Sequence, residues 1–184
     1  MNRTQALELV KQRVSNKNLI FHMIAVGAAM KSLAHRLGGD EEKWELAGIL
    51  HDLDIDRTIS DFPQHGLISH KILSDMGIEP EITSAVRAHP AHKDYPPQTP
   101  MEWSLHIVDP LTGLIVAATL MHPTKKLANV DADFVLRRFD EKRFAAGANR
   151  EQIKLCEAKL NIPIQEFTKT VLEAMQSVSA EIGL

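Results

Sequence analysis

Apolar residues recur every three or four positions along almost the whole chain, and no segment alternates in the two-residue rhythm of a strand. Leu19, Met23, Val26, Met30, Leu33 and Leu37 form one stripe, which predicts a helix over 17–37 stopped by Gly38 and Gly39. A shorter helix capped by Thr4 is expected before it, reaching about Val14. Asp40 is placed to cap a third helix that ends near His51 and Asp52. A loop rich in Asp, Ser and Pro follows, then a fourth helix over about 65–77. Pro80 suits the first turn of a fifth, which Pro90 ends. Residues 95–100 read as a Pro-rich loop, and Thr99 with Glu102 forms a capping box for a sixth helix. Pro110 is expected to kink or break that helix just after Asp109. Beyond Met121 the helical pattern is broken, until a last helix over about 163–182 docks back on the core. The fold class is therefore all-α.

Composition narrows this picture. A chain of 184 residues, 44% hydrophobic and 24% charged, is an ordinary globular mixture, long enough for one core. The division expected is a core over 1–122 and a C-terminal helical extension over 123–184 packed on it. A net charge of −3 provides no global basic field, so a nucleic-acid polymer is not the expected partner. The single cysteine, Cys156, leaves no internal disulfide and fits a reducing compartment. Glu8, Lys11 and Arg13 interrupt any signal-like apolar stretch, and the apolar run over 114–121 is far short of the roughly 20 residues of a membrane span. A cytoplasmic protein without a membrane partner is the expectation.

Nine histidines beside one tyrosine change the picture more, because imidazole is the commonest metal ligand. The His51-Asp52 dipeptide alone carries little, since nine histidines and eleven aspartates give about half such a pair by chance. Position carries more. His22 lies one turn from Leu19 and Val26, His51 one turn after Ala47, and Asp109 one turn from Leu105. His89 is in register with Ile82, Ala85 and Val86, and His65 is in line with Ile68 and Ile72. Several inward imidazoles and two inward carboxylates are costly to bury unpaired, and a divalent cation resolves that cost. His35 sits beside Lys31 and Ser32 and reads as solvated. His92 and His122 adjoin prolines or loops and read as incidental. His70 is rotated away from the face of Ile68 and Ile72, and His106 is equally a substrate contact or a mere neighbour of Asp109. Asp54 and Asp56 read as solvated loop charges in preference to holding a metal-bound water.

The order His22, His51-Asp52, Asp109 resembles the pattern of the HD superfamily of metal-dependent phosphohydrolases. The segment Leu46-Ala47-Gly48-Ile49-Leu50-His51-Asp52-Leu53-Asp54 is similar to that family's central string. His65-Gly66 before Ile72-Leu73, His89 at a helix end, and Asp109 in Ile107-Val108-Asp109-Pro110 match its further motifs. The resemblance covers about 19–118 and implies an HD-domain helical bundle. Where the best-known variant has glycine after the triplet, Asp54 stands here. No glutamate follows three positions after Asp52, so a nucleotidase-type catalytic acid does not carry over. His89 is followed by Pro90, and there is no Gly-Tyr-Pro motif, which speaks against a cyclic-dinucleotide phosphodiesterase.

The resemblance implies a metal set of His22, His51, Asp52, His65, His89 and Asp109, with His51 and Asp52 carrying the catalytic roles. One or two divalent ions (Mn, Fe, Co, Zn or Mg) would be held, the first by His22, His51, Asp52 and Asp109. His65 and His89 complete a second site sharing Asp52, for a clamp of two ions about 3.5–4 Å apart. The expected reaction is hydrolysis of a nucleotide or other small phosphate ester by metal-activated water. The basic residues Lys125, Lys126, Arg137, Arg138, Lys142, Arg143 and Arg150 are either phosphate partners or a solvated surface. Two alternatives stay open: a di-iron oxygenase of the inositol-oxygenase type, and a catalytically silent metal-binding regulatory module. Oligomeric state stays open as well.

Overall fold

The computed structural model describes residues 1–141 and 143–184. Among them the regular elements are all helical: α1 (Arg3–Arg13), α2 (Lys17–Leu37), α3 (Glu41–Leu50), α4 (Ile55–Thr58), α5 (Leu67–Asp75), α6 (Pro80–Ala88), α7 (Pro100–Met121), α8 (Ala132–Phe139), α9 (Arg150–Leu160), α10 (Ile164–Ser177) and α11 (Ser179–Ile182). The all-α expectation holds. Three local expectations are corrected. The first helix is capped by Asn2, whose side chain accepts from Gln5 N at 3.0 Å while Gln5 returns a bond to Asn2 N at 2.9 Å. The loop before His65 contains α4 and a 3₁₀ turn at Phe62–Gln64. The last helix divides at Val178, because Ser177 Oγ takes the Ala174 carbonyl at 2.7 Å and the Val178 amide turns to Met175 instead.

The sixth helix, α7, runs through Pro110 unbroken. Proline has no N–H, so the carbonyl of His106 one turn earlier loses its helical partner. Gln152 Nε2, from α9, donates to that carbonyl. A tertiary contact thus supplies the missing bond and α7 continues. By length and composition α7 could cross a membrane, yet Leu105, Ile107, Val108, Leu111, Leu114 and Ile115 are all fully buried in this fold. Helices α2, α3, α6, α8, α9 and α10 pack around it, so it is the central core helix.

Two glycines set the other decisive contact. A Cβ on Gly48 of α3 would lie 2.7 Å from Gly27 Cα of α2, and one on Gly27 would lie 2.6 Å from Ile49 Cγ1. Only their absence lets the two backbones touch. That crossing brings His22, near the start of α2, toward His51, just past the end of α3. At the far side, Gly66 adopts φ +76° against the Val86 carbonyl of α6, which holds the α5 entrance close to the end of α6.

A candidate metal centre

The six residues singled out from the sequence converge between α2, α3, α6, α7 and the turn before α5. His22 Nε2 lies 3.0 Å from Asp109 Oδ1 and 3.9 Å from Asp52 Oδ2. Asp52 Oδ1 lies 3.4 Å from His51 Nε2, 3.2 Å from His65 Nε2 and 3.5 Å from His89 Nε2. His51 Nε2 also approaches Asp109 Oδ1 at 3.9 Å. Asp52 therefore stands between two groups, His22 with Asp109 on one side and His65 with His89 on the other, while His51 borders both. Donor atoms of His22, His51 and Asp109, and likewise of His51, Asp52 and His89, are close enough for one ion each.

The Nδ1 side of every ring is committed elsewhere. His51 Nδ1–H donates to the Gly48 carbonyl at 2.8 Å, and His89 Nδ1–H to the Val86 carbonyl at 2.6 Å. His65 Nδ1–H donates to Asp54 Oδ1 at 2.9 Å. His22 Nδ1–H donates to Thr112 Oγ1 at 3.1 Å, and that hydroxyl donates to the Asp109 carbonyl at 2.9 Å. All four Nε2 atoms are thereby turned into one space, as metal-binding imidazoles are oriented. His51 Nε2 is buried there with no hydrogen-bond partner. An orphaned imidazole nitrogen facing two carboxylates is costly, and a divalent cation removes the cost. The donor set fits such an ion.

Without a metal the cluster retains protons. Burial disfavours charge on His51, but the charges of Asp52 and Asp109 outweigh it and push the ring up to about 9. Burial also opposes charge on His65, but its bonds to Asp52 and Asp54 raise it to about 9. His89 moves the other way, held below the ordinary histidine range by burial. The 3.1 Å contact between His65 Nε2 and His89 Nε2 is consistent with that split, a protonated ring donating to a neutral one. Asp52 is buried, yet its three imidazole neighbours keep its carboxyl well below the usual range.

Some readings from sequence change. His65 does not gain its inward direction from a helical face with Ile68 and Ile72. It precedes α5 in extended backbone, φ −62° and ψ 135°, at the end of the 3₁₀ turn. Asp54 is not a solvated charge, being only 1% exposed. Its Oδ1 orients His65, and its Oδ2 accepts from Ser69 N at 2.8 Å, supplying the cap that Gly66 cannot give α5. The signal was present in the sequence, as a carboxylate standing where the family variant has glycine. Asp56 does lie at the surface, accepting from Ser15 N. His92 is not incidental, since its Nε2 donates to the His65 carbonyl at 2.7 Å. His106 Nδ1 meets the His89 carbonyl at 2.7 Å, so it steadies a neighbour and does not present Nδ1 to substrate. His70 turns to the Thr83 carbonyl, and His35 pairs with Glu41 at the surface, as expected of them. In the basic segment, Arg150 is spent on the carbonyls of Ala145 and Ala148 at 2.6 and 2.7 Å, and Arg138 on Glu141 at 2.8 Å. Both cations thus have partners of their own within this segment; Lys142 lies outside the described residues.

A helical bundle with an inward His-Asp cluster on this spacing defines a class, and residues 19–114 match the HD domain family. The chain belongs to that family, within a superfamily of metal-dependent phosphohydrolases. It is 31% identical over 100 residues to ribonuclease Y of Nitratidesulfovibrio vulgaris, covering 53% of this chain and 18% of that protein. With ribonuclease Y of Oleidesulfovibrio alaskensis it shares 29% over 107 residues, covering 56% and 20% respectively. With that of Desulfotalea psychrophila it shares 26% over 172 residues, covering 90% and 31%. The chain thus spans less than a third of the length of these relatives.

Proposed function

We propose that this chain is a divalent-metal-dependent phosphohydrolase acting on a small phosphate ester, a nucleotide included, with His22, His51, Asp52, His65, His89 and Asp109 as the metal ligands. The observation that carries this reading is the buried, unpartnered Nε2 of His51 among four imidazoles whose opposite nitrogens are all committed. What divalent ions supply in such a cluster is Lewis acidity and water of near-neutral pKa. The chain's own residues do the rest. Asp52 presents Oδ1 to His51, His65 and His89 and Oδ2 to His22, the arrangement of a carboxylate shared by two ion positions. His51 and His89 wall off the inner side, where their side chains are 0% and 2% exposed. Asp52, kept ionised by its imidazole neighbours, would be the ligand common to both positions.

The name of the relatives supports a second reading, an RNA phosphodiester as substrate. A net charge of −3 favours a small ester over a polyanion. The test is a panel of nucleotides, phosphomonoesters and RNA oligomers with added Mn, Co, Zn or Mg, each reaction repeated with EDTA. Release of phosphate or of a nucleoside monophosphate, suppressed by EDTA, is expected. Cleavage confined to the oligomers would replace the substrate class. A blank panel with oxygen consumption by iron-loaded protein would replace hydrolysis by the di-iron oxygenase reading, which requires the same six residues.

A further inference from the structure

The metal cluster is open on one side only. His22 and Asp109 keep 21% and 31% of their side chains exposed, against 0% for His51, 2% for His89, 6% for His65 and 10% for Asp52. His22 also lines a cavity of about 520 Å³ between α2, α7 and the segment following α11. Its other walls include Phe21 and Ala25 of α2, Val116 and Leu120 of α7, and Ile182. The volume falls within the roughly 300–1,000 Å³ of small-molecule sites. Among the described residues no Lys, Arg, Asp or Glu side chain lines it; Asn18 supplies a side-chain amide, and Lys17 holds its ammonium 5.2 Å from the Phe21 ring centroid. On α7, Asp109, Gly113, Val116 and Leu120 follow one another at spacings of three or four, so metal cluster and cavity share one helical face.

We infer that this cavity is the subsite for the organic part of the substrate, and that this part is an uncharged, largely apolar group. The inference rests on the phosphohydrolase reading, since it places the phosphate at the cluster. Among the described residues no cationic side chain lines these walls, Lys17 standing beside them over the Phe21 ring, so a sugar-phosphate chain would meet no row of cations such as tracks for polynucleotides carry. An apolar group gains from burial against Phe21, Val116 and Leu120 at about 0.8 kcal/mol per methylene, which is roughly fourfold in affinity. Gly113 opens the wall: a Cβ added there meets nothing within 4 Å, so a larger side chain would grow into the cavity without disturbing α7.

The experiment uses non-hydrolysable alkylphosphonates, methyl through hexyl, titrated against the Mn-loaded protein by calorimetry. Affinity is expected to rise two- to fourfold per added methylene. In Gly113→Leu the length dependence is expected to vanish, while methylphosphonate affinity and bound Mn stay at the wild-type level. Gly113→Ala, which adds one carbon and favours the helix, should keep most of the length dependence. Methylphosphonate that binds with an affinity flat in chain length overturns the apolar subsite and leaves the phosphate at the metal intact. Protein that holds Mn but binds no phosphonate of any length overturns the phosphohydrolase reading, and the subsite with it.

Discussion

Replacing Asp54 by Asn changes one atom's chemistry at almost constant volume, and the structure assigns it a large effect on metal binding. Asp54 is buried and makes two charge-assisted contacts, to His65 Nδ1–H at 2.9 Å and to Ser69 N–H at 2.8 Å. An asparagine has one oxygen and one NH2, so only one of these donors can keep an acceptor. If the oxygen stays on Ser69, the NH2 faces His65 Nδ1. The ring then accepts there and carries its proton on Nε2, the nitrogen aimed at Asp52. A protonated Nε2 cannot ligate a metal. Loss of one hydrogen bond to a charged group corresponds to about 1.5–3 kcal/mol, and loss of an outer-shell partner to a ligating histidine to roughly 10–100-fold in metal affinity. The two scales agree, since tenfold is about 1.4 kcal/mol. A chelator-competition titration with Mn or Co on Asp54→Asn is therefore expected to show affinity weaker by about one to two decades, with the thermal midpoint of the metal-free protein lowered as well. Wild-type metal affinity and stoichiometry in a folded Asp54→Asn protein would refute the reasoning, and with it the role of His65 Nε2 as a ligand.

Four further outcomes are expected. His65→Ala with His89→Ala should lower bound metal from about two ions to about one per chain on the two-metal arrangement, read by elemental analysis; an unchanged count would demote both residues. The gap in thermal midpoint between metal-loaded and metal-free protein should widen from pH 6 to 9. His51 and His65, raised from 6.5 to about 9, stabilise the metal-free fold fully below 6.5 and lose that contribution as pH rises through 9, while fewer protons compete with the metal; a gap that narrows would contradict this. Gly48→Ala forces a Cβ to within 2.7 Å of the Gly27 backbone and should destabilise by about 1–3 kcal/mol in denaturant titration; a neutral result would mean α2 and α3 separate freely. Gln152→Leu should cost about 1–3 kcal/mol by orphaning the His106 carbonyl, and should cost clearly less in a Pro110→Ala background, where an N–H returns; equal costs in both backgrounds would refute the pairing.

How far the sequence can be read depends on whether the partner of a group lies within its own helix. The stripe from Leu19 to Leu37, the Asp40 cap and the Thr99–Glu102 box are local, and all three stand in the structure as their patterns require. The convergence of His22, His51, His89 and Asp109 was legible because each flanks an apolar helical face, and such faces must meet; Asp52 was legible only as the neighbour of His51 in the family's string. The break that Pro110 could have caused is absent because its remedy comes from Gln152, 42 positions away, and no local rule contains that distance. His65 was assigned the right place for the wrong reason: the 3₁₀ turn and Gly66 aim it, not a stripe shared with Ile68 and Ile72. Asp54 is the sharpest instance. A buried carboxylate is normally excluded from a core, so an Asp in a polar loop reads as solvated until its donors are known. Beside the Thr58 hydroxyl at 3.4 Å, they are an imidazole 11 residues on and an amide at the start of a helix 15 residues on. That single side chain joins the turn before α5, the tautomer of His65 and the N-terminus of α5. A glycine at the same position could do none of these.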